Sequence, residues 1–263
     1  MRELERDTLP SLLSATSLVV VGRGRVGGSL ARAAELAGIE VRLASADRAA
    51  ETAEGAGAAL LCVPDEALTD VCARIAPSTP TLVGHVSGAS GLDALSPALD
   101  RGAAIFSLHP LQTFADEATP VEGTPAAIAG SDDRALSFAR LLGEALGLRP
   151  FDVPEESRAA YHAAAAISSN LLVALEESAA ELVERLGIED ARELLAPLVL
   201  RTAANWAERG PDALTGPIAR GDRATVERHR AALAETAPEL LAMYDALAER
   251  AEAVASQRAG ERS

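Results

Sequence analysis

Short apolar runs rich in Val, Ile, Leu and Ala recur through the first part of the chain, and stretches with helical spacing separate them. The runs predict strands at residues 18–22, 39–45, 58–62, 81–86, 103–109, 125–130 and 148–153. Apolar positions three or four residues apart predict helices at residues 26–38, 65–76 and 132–147. Strands that alternate with helices favour an α/β fold built on a parallel, doubly wound sheet of the Rossmann type.

The pattern changes after Pro154, where the strand-like runs end. Helical spacing then predicts helices at residues 155–187, 189–209, 222–236 and 238–257. A chain of 263 residues is long enough for two domains. We therefore predict a lead segment at 1–16, an α/β domain at 17–153 and an all-α domain at 154–263.

The chain is strongly acidic, with a formal net charge of −15. Nucleic acids and anionic membranes bind cationic faces, so neither is expected as a partner. All 24 basic residues are arginine, which leaves no lysine as a catalytic acid. The charged N-terminus is unlike a signal peptide, and no run of about 18 apolar residues is present to cross a membrane. We expect a cytoplasmic protein.

The two cysteines, Cys62 and Cys72, form neither a CxxC pair nor part of a Cys/His cluster. Their spacing therefore predicts no metal site. Two buried, reduced thiols are expected in a cytosolic protein.

The segment 22-GRGRVG-27 has G-x-G-x-x-G spacing and lies between a predicted strand and a predicted helix. In that context Gly22 allows a tight turn, Gly24 lets the backbone approach a pyrophosphate, and Gly27 permits close helix–strand packing. Free N–H groups and the dipole at the helix N-terminus favour the anion. The turn thus predicts a dinucleotide cofactor contacted by Gly22, Arg23, Gly24, Arg25, Val26 and Gly27.

The end of the second strand bears on the choice between NADP and NAD. Enzymes that use NAD usually place Asp or Glu there, about 20 residues past the turn. Here the position holds Ser45, with Arg48 nearby and two arginines in the turn itself. A hydroxyl with arginines suits a 2′-phosphate, because a guanidinium pairs bidentately with phosphate. NADP is therefore favoured, although Asp47 could instead bind a ribose hydroxyl as in NAD enzymes.

Loops after the later strands are expected to border the same crevice. These loops are 63-VPDE-66, 85-HVSGASG-91 and 107-SLHPLQTF-114. The predicted cofactor contacts among them are Val63, Pro64, Ser87 and His109. The groups that could line the nicotinamide end are Ser87, Gly88, His109 and Gln112. For His85 and His109 the alternative is a strand-end histidine bonded to the backbone.

Six motifs of the chain, taken in order, resemble those of one two-domain family. They are the glycine turn, VPD, HVSG, SLHPLQTF, YHAAAAISSN (161–170) and LTGPIARGD (214–222). That family joins a Rossmann-like NADP-oxidoreductase domain to a C-terminal helical domain of unknown function, and the resemblance spans residues 17–250. Its architecture is similar to that of ketopantoate reductases, pyrroline-5-carboxylate reductases and β-hydroxyacid dehydrogenases. The resemblance implies an NADP-dependent oxidoreductase with a helical domain like the C-terminal domain of 6-phosphogluconate dehydrogenase. It also implies a homodimer formed through that domain.

Ketopantoate reductases carry a lysine and two asparagines at four-residue spacing on the first long helix of the second domain. With Asn170 matched to the last asparagine, the other two positions fall on His162 and Ala166. The lysine position therefore holds histidine here, so another group has to supply the proton.

The predicted helix at 155–187 brings polar side chains to one face. At about 100° per residue, Ser169 lies about 20° and Asn170 about 80° around the axis from His162. Because histidine ordinarily titrates near working pH, we predict that His162 protonates the substrate oxygen while Ser169 and Asn170 hydrogen-bond to the substrate. The alternative is a core histidine bonded to a neighbouring serine. Tyr161 is expected to face another direction and to pack.

The predicted reaction is the NADPH-dependent reduction of a small anionic 2-oxo acid, with ketopantoate as the best substrate. Arg220, in the loop at 215–222, is the predicted cation for its carboxylate; the alternative is a rigid turn in which Arg220 pairs with Asp222 or another acid. Two rival functions are the reduction of a cyclic imine of the pyrroline-5-carboxylate type and a non-catalytic NADP(H) sensor.

Overall fold

The computed structural model describes residues 16–75 and 80–261, with side chains described through residue 257. Of the predicted lead segment at 1–16, only Thr16 lies within these ranges. The strands lie close to their predicted bounds. They are β1 (Leu18–Val21), β2 (Val41–Ala44), β3 (Ala58–Leu61), β4 (Leu82–His85), β5 (Ala104–Pro110), β6 (Pro125–Gly130) and β7 (Arg149–Asp152).

The strands form one seven-stranded sheet in the order β2-β1-β3-β4-β5-β6-β7. Neighbouring strands among the first five are parallel, as predicted. The prediction of a wholly parallel sheet is wrong at one pair, because β6 runs antiparallel to β5. The connection at 111–124, which is described throughout, contains no helix to carry the chain over the sheet, so the chain turns back. A helix does link β6 to β7, and these two strands are parallel.

Helices cover both faces of this sheet and then continue without further strands through the described part of the chain. In chain order they are α1 (Arg25–Leu36), α2 (Ala49–Ala53), α3 (Leu68–Ile75), α4 (Ser96–Leu99), α5 (Asp133–Ala145), α6 (Arg158–Ser168), α7 (Asn170–Arg185), α8 (Ala191–Arg209), α9 (Gly216–Ala219), α10 (Arg223–Thr236) and α11 (Leu241–Glu261). The predicted helix at 65–76 begins with a 3₁₀ turn at Asp65–Ala67, and Ala76 lies outside the described residues.

Two aspartates cap helices as their sequence positions suggest. The Asp132 carboxylate accepts a hydrogen bond from the backbone N–H of Ala135 at the start of α5. The Asp222 carboxylate accepts one from the backbone N–H of Thr225 at the start of α10.

The sheet is buried on both faces, as expected of a parallel sheet covered by helices. All four residues of β1 and of β3 are buried. One face packs on α1 and α5, where Phe106 and Phe138 meet edge to face with ring centroids 5.4 Å apart. The other face packs on α3, through Leu68, Cys72 and Ile75. The carboxyl ends of β1, β3, β4 and β5 therefore share one edge on a rigid core.

The prediction of a single helix at 155–187 is wrong, because two helices and a 3₁₀ turn occupy this range. A 3₁₀ turn spans Glu155–Ser157, α6 follows, and the chain leaves helical geometry at Ser169, where φ is −133° and ψ is −82°. The Ser169 hydroxyl and the Asn170 side-chain oxygen lie 3.0 Å apart. Side chains of this kind compete with helical backbone bonding, which favours a break at a Ser–Asn step.

The chain divides into two compact units, the first ending at Ile167 and the second beginning at Ser168. The second unit contains helices α7 to α11 and buries few apolar side chains. Those buried within the described residues are Ala180, Ala191, Leu233 and Ala237. Its exposed large apolar side chains include Leu171, Val173, Leu194, Leu198, Leu200 and Trp206. Among the described residues, no helix combines the length and the apolarity that crossing a bilayer requires.

Candidate cofactor and active site

The glycine turn follows β1 and leads directly into α1. Gly22 has a φ of 120°, and a Cβ there would lie 2.1 Å from the Cys62 carbonyl oxygen at the end of β3. A Cβ on Gly27 would lie 1.8 Å from the Gly22 carbonyl oxygen. Both positions therefore require glycine. Because β2 and β3 lie on opposite sides of β1, the turn sits at the topological switch point of the sheet, where such folds bind dinucleotides.

Gly24 differs from the other two glycines, because a Cβ there would meet nothing within 4 Å. It is the N-cap of α1 and makes no side-chain capping bond, so the helix terminus is open toward a ligand. Arg23 and Arg25 are exposed on either side, whereas Val26 packs against the core. These features fit the pyrophosphate of a dinucleotide, held by backbone N–H groups with arginines nearby.

The end of β2 carries both of the features on which the choice of cofactor depends. The Ser45 hydroxyl hydrogen-bonds to the Asp47 carboxylate, and this bond is the main reason that the pKa of Asp47 is lowered. Arg48 is exposed and pairs with Glu51 at 3.2 Å. Ser45 and Arg48 can thus reach a 2′-phosphate only by exchanging these partners.

The loop after β4 is built around His85 and Ser87. His85 is fully buried; its Nδ1 accepts a hydrogen bond from the Ser87 N–H, and its Nε2 lies 3.2 Å from the Gly91 carbonyl oxygen. The Ser87 hydroxyl accepts hydrogen bonds from the N–H groups of Ala89 and Ser90. His85 is therefore the backbone-bonded strand-end histidine of the alternative interpretation, and Ser87 shapes the turn.

His109, near the end of β5, lies beside two aromatic side chains of α6. Its Nδ1 is 2.7 Å from the Tyr161 hydroxyl oxygen, with ring centroids 5.6 Å apart. The His162 ring lies edge to face at 6.3 Å. A Cβ on Gly88 would lie 2.7 Å from His109 Nε2 and 2.8 Å from His162 Cδ2, so only glycine lets both rings close on this loop. Tyr161 was expected to face another direction and to pack; it does pack on Phe151, but its hydroxyl meets His109.

A buried arginine holds α6 in this position. Arg158 is 2% exposed, and its guanidinium donates to the Ser87 carbonyl oxygen, the Ser107 hydroxyl and the Glu155 carboxylate. The other Glu155 oxygen accepts from the Leu92 N–H at 2.9 Å. One side chain thus ties the start of α6 to β5 and to the loop after β4. Because His162 lies one turn beyond Arg158, the position of its ring depends on this network.

Burial and neighbouring charge determine the protonation of the group. The pKa of His109 is lowered to about 4, first by burial and then by the charges of His162 and Arg158. Burial, followed by the Arg158 charge, also lowers the pKa of His85 to about 4. Burial raises the pKa of Tyr161 to about 12. At neutral pH both histidines are therefore neutral, and Tyr161 keeps its proton.

Four predicted site residues belong to the second unit or have other partners. Ser169 and Asn170 follow the helix break and belong to the second unit, so the angular argument from His162 does not extend to them. Arg220 is exposed in the second unit and makes none of the ion pairs found among the described residues. The Gln112 amide instead fixes its own loop, accepting from Thr124 and donating to the Pro120 carbonyl oxygen.

The sequence reasoning missed Arg158, Glu155 and the part played by Tyr161. A signal was available in 155-EESRAAYH-162, where Glu155, Arg158, Tyr161 and His162 recur at three- and four-residue steps. Val63 and Pro64 lie in the loop after β3, one residue beyond its end, where they were predicted to border the crevice.

Neither cysteine has the character of a reactive site. Cys72 is buried and its pKa is raised to about 11, while Cys62 is half-buried rather than buried as predicted, and its pKa is raised by loss of solvent. Across residues 16–75 and 80–261, no group of three or more His, Cys, Asp or Glu side chains is arranged to hold a metal ion.

Comparison with known families supports the two-part architecture. Residues 40–110 match the model of a Rossmann-like domain, and residues 124–251 match that of a domain of unknown function, DUF2520. The chain therefore joins a Rossmann-like domain to a C-terminal DUF2520 domain. This confirms the family resemblance seen in the sequence. The comparison with curated proteins gave no match.

Solved structures with the same fold are oxidoreductases where their names state an activity. A Bacteroides fragilis protein named as an NADP oxidoreductase is 21% identical, with a TM-score of 0.75 over 91% of this chain and 99% of that one. A Thermotoga maritima protein is 23% identical, with a TM-score of 0.74 over 92% and 99% of the two chains. Plasmodium falciparum pyrroline carboxylate reductase with NADP bound is 14% identical, with a TM-score of 0.59 over 92% and 99%. At these identities the likeness shows that the chain shares their fold over most of its length.

Proposed function

We propose that the Rossmann–DUF2520 protein is an NADPH-dependent reductase of a small 2-oxo acid, with ketopantoate as the first substrate to test. The observation that carries the proposal is the group formed by His109, Tyr161 and His162. It lies at the carboxyl end of β5 and past that of β4, at the edge of the sheet that also carries the glycine turn. Protein groups that can hydrogen-bond a carbonyl oxygen are thus gathered where this fold binds its ligands.

The cofactor would be held by groups already described. The backbone at Gly24 and the start of α1 would bind the pyrophosphate, and Arg48 with the arginines of the turn would bind a 2′-phosphate. When bound, NADPH supplies the hydride. Asp47 is the feature that opposes this choice, because its carboxylate carries negative charge beside Ser45.

The imidazole rings suit the substrate oxygen. Within the described residues, Tyr161 is the hydrogen-bond partner of the His109 ring, and His162 has none. The His162 ring is half-buried and its nitrogens are not cut off from solvent, so they are open to a ligand oxygen. We retain His162 as a group that contacts the substrate oxygen.

Reduction of a cyclic imine is the second candidate, and the likeness to pyrroline carboxylate reductase favours it. The two reactions differ in their need for a proton donor. A ketone oxygen has to be protonated as it is reduced, whereas a protonated imine already carries its proton. Loss of a donor should therefore harm ketone reduction far more than imine reduction.

The test is NADPH oxidation by the purified protein, with ketopantoate and pyrroline-5-carboxylate in parallel assays and NADH in matched ones. The variants are His162→Ala and, as a control histidine, His229→Ala, whose ring is exposed and bonded to Tyr244. We expect turnover that prefers NADPH and ketopantoate, a large loss with His162→Ala and none with His229→Ala. Turnover of the imine alone would exclude the ketone. Tight NADPH binding without turnover of either compound would contradict both.

A further inference from the structure

We propose that Tyr161 supplies the proton that the reduced substrate takes up, and that the imidazole ring of His109 passes it on. The proposal rests on the proposed function, because it assigns the proton source of that reaction. His109 is then the catalytic residue that touches the substrate oxygen, and Tyr161 acts through it.

The hydrogen bond between the two side chains provides the route of transfer, and in the proposal the Tyr161 hydroxyl is its donor. The Tyr161 hydroxyl lies 2.7 Å from His109 Nδ1, and the two ring planes are nearly perpendicular at 83°. Phe151 packs on Tyr161 with ring centroids 6.0 Å apart, which helps to hold the phenol ring. With the hydroxyl donating to Nδ1, the hydrogen of a neutral imidazole ring is on Nε2.

The second ring nitrogen of His109 faces the glycine of the loop after β4. Its Nε2 lies beside Gly88, where a Cβ would come within 2.7 Å. Among the described residues, no group hydrogen-bonds to Nε2, and this nitrogen keeps some exposure to solvent. The N–H at Nε2 is therefore available to a substrate oxygen, while Nδ1 stays in contact with Tyr161.

The charges around His109 keep the pair in one protonation state over a wide pH range. The groups that face it are Tyr161, His162 and Arg158 from α6, His85 from β4, and Asp65 from the turn after β3. Burial and the three positive or potentially positive groups outweigh Asp65 and lower the pKa of His109 to about 4. The pKa of Tyr161 is about 12, raised by burial against the opposing charge of Arg158. Between these values the ring is neutral and the phenol is protonated.

The transfer balances without a further reactant. The hydride carries both electrons of the reduction, so the protein has to supply one proton. The substrate oxygen takes the hydrogen of Nε2, and an O–H bond forms as the N–H bond breaks. Nδ1 takes the hydroxyl hydrogen of Tyr161 in the same step, which leaves the ring neutral and a tyrosinate behind. Solvent then supplies a proton to Nε2, and the hydrogen on Nδ1 returns to the tyrosinate, which restores the starting pair.

This route predicts a pH dependence different from that of a histidinium donor. Because the pKa values of the pair are about 4 and about 12, kcat for a ketone should be flat from about pH 5 to about pH 10. A histidinium donor would instead make kcat fall about tenfold per pH unit above its own titration. His162 in this scheme hydrogen-bonds to the substrate oxygen without being the proton source.

The decisive variant is Tyr161→Phe, which removes only the hydroxyl group. The chain offers a matched control, because the Tyr244 hydroxyl lies 2.9 Å from His229 Nδ1 in a second pair of the same kind. With ketopantoate, Tyr161→Phe should lower kcat at least about 10²-fold, with KM and NADPH affinity unchanged. Tyr244→Phe should leave kcat unchanged. With an imine substrate, Tyr161→Phe should also have little effect.

Two further measurements keep the result interpretable if Tyr161→Phe is poorly folded. His109→Ala should give the same loss of kcat with the ketone. The ¹⁵N shifts of the His109 ring in the unliganded protein should show the tautomer with hydrogen on Nε2, and this preference should weaken in Tyr161→Phe.

Distinct outcomes separate this proposal from the proposed function. Full ketone reduction by Tyr161→Phe, a kcat that falls through neutral pH, or a His109 tautomer with hydrogen on Nδ1 would each overturn the relay and leave the reductase standing. A wild-type protein that reduces neither ketone nor imine would overturn the proposed function, and the relay with it.

Discussion

The buried Arg158 gives the sharpest stability prediction, because its loss would strand several polar groups at once. In Arg158→Met, the Ser107 hydroxyl, the Ser87 carbonyl oxygen and the Glu155 carboxylate all lose their donor. Removing one partner of a buried ion pair typically costs about 3–5 kcal/mol. The Glu155 side chain is 37% exposed, so water can partly solvate its unpaired charge in the variant. We therefore take the lower end of this range for the loss of stability, about 3 kcal/mol. For a protein of this size, that corresponds to a fall in melting temperature of about 6–12 °C.

The assay is thermal unfolding followed by circular dichroism, with Arg192→Met as the control. Arg192 forms an ion pair with Glu177 at the same 2.7 Å distance, but its side chain is 77% exposed. Exposed pairs of this kind contribute little, so Arg192→Met should melt with the wild type. Adding Glu155→Gln to Arg158→Met should restore part of the loss, because it removes the unpaired charge. Equal melting temperatures for the two arginine variants would refute the reasoning from burial.

Three other predictions concern the cofactor turn, the thiols and the assembly. Gly24→Ala should fold normally, since its Cβ meets nothing within 4 Å, yet bind NADPH weakly in a fluorescence titration. Gly27→Ala should also lower the melting temperature, because its Cβ would lie 1.8 Å from a carbonyl oxygen. Both cysteines should react with a thiol reagent at pH 8 only after unfolding, because the pKa of each thiol is raised. The pKa of Cys72 is raised to about 11. Rapid labelling of the native protein would contradict this. We propose a homodimer formed through the helical unit, so light scattering should give twice the chain mass for the wild type. The double variant Leu198→Glu/Leu200→Glu should give the mass of a single chain, because these two leucines are 64% and 70% exposed.

The sequence was sufficient for the Rossmann sheet because the signals there are local. Each strand is a short apolar run, and the glycine turn combines spacing with a strand before it and a helix after it. The direction of β6 could not be predicted in the same way. It depends on whether the connection at 111–124 crosses the sheet, and that segment has no periodic pattern to show its path.

The active-site group was only partly predictable, because its members meet through the tertiary fold. His109 and His162 were each recognised as candidates, but nothing local to either residue brings Tyr161 to His109. That contact depends on Arg158, whose partner Ser107 is 51 residues away. The angular argument for Ser169 and Asn170 assumed one continuous helix, and the same polar side chains that suggested a site also favour the break.

The length of the four-residue strand β7 determines where α6 begins and hence where Tyr161 lies. It pairs with β6 from Arg149 to Asp152, and the chain then needs only five residues to reach the first residue of α6. A strand advances about 3.3 Å per residue, so inserting two residues in β7 would displace the start of α6 by nearly 7 Å. That is more than twice the 2.7 Å between Tyr161 and His109. The segment from β7 to α6 should therefore tolerate neither insertions nor deletions, because either would separate Tyr161 from His109.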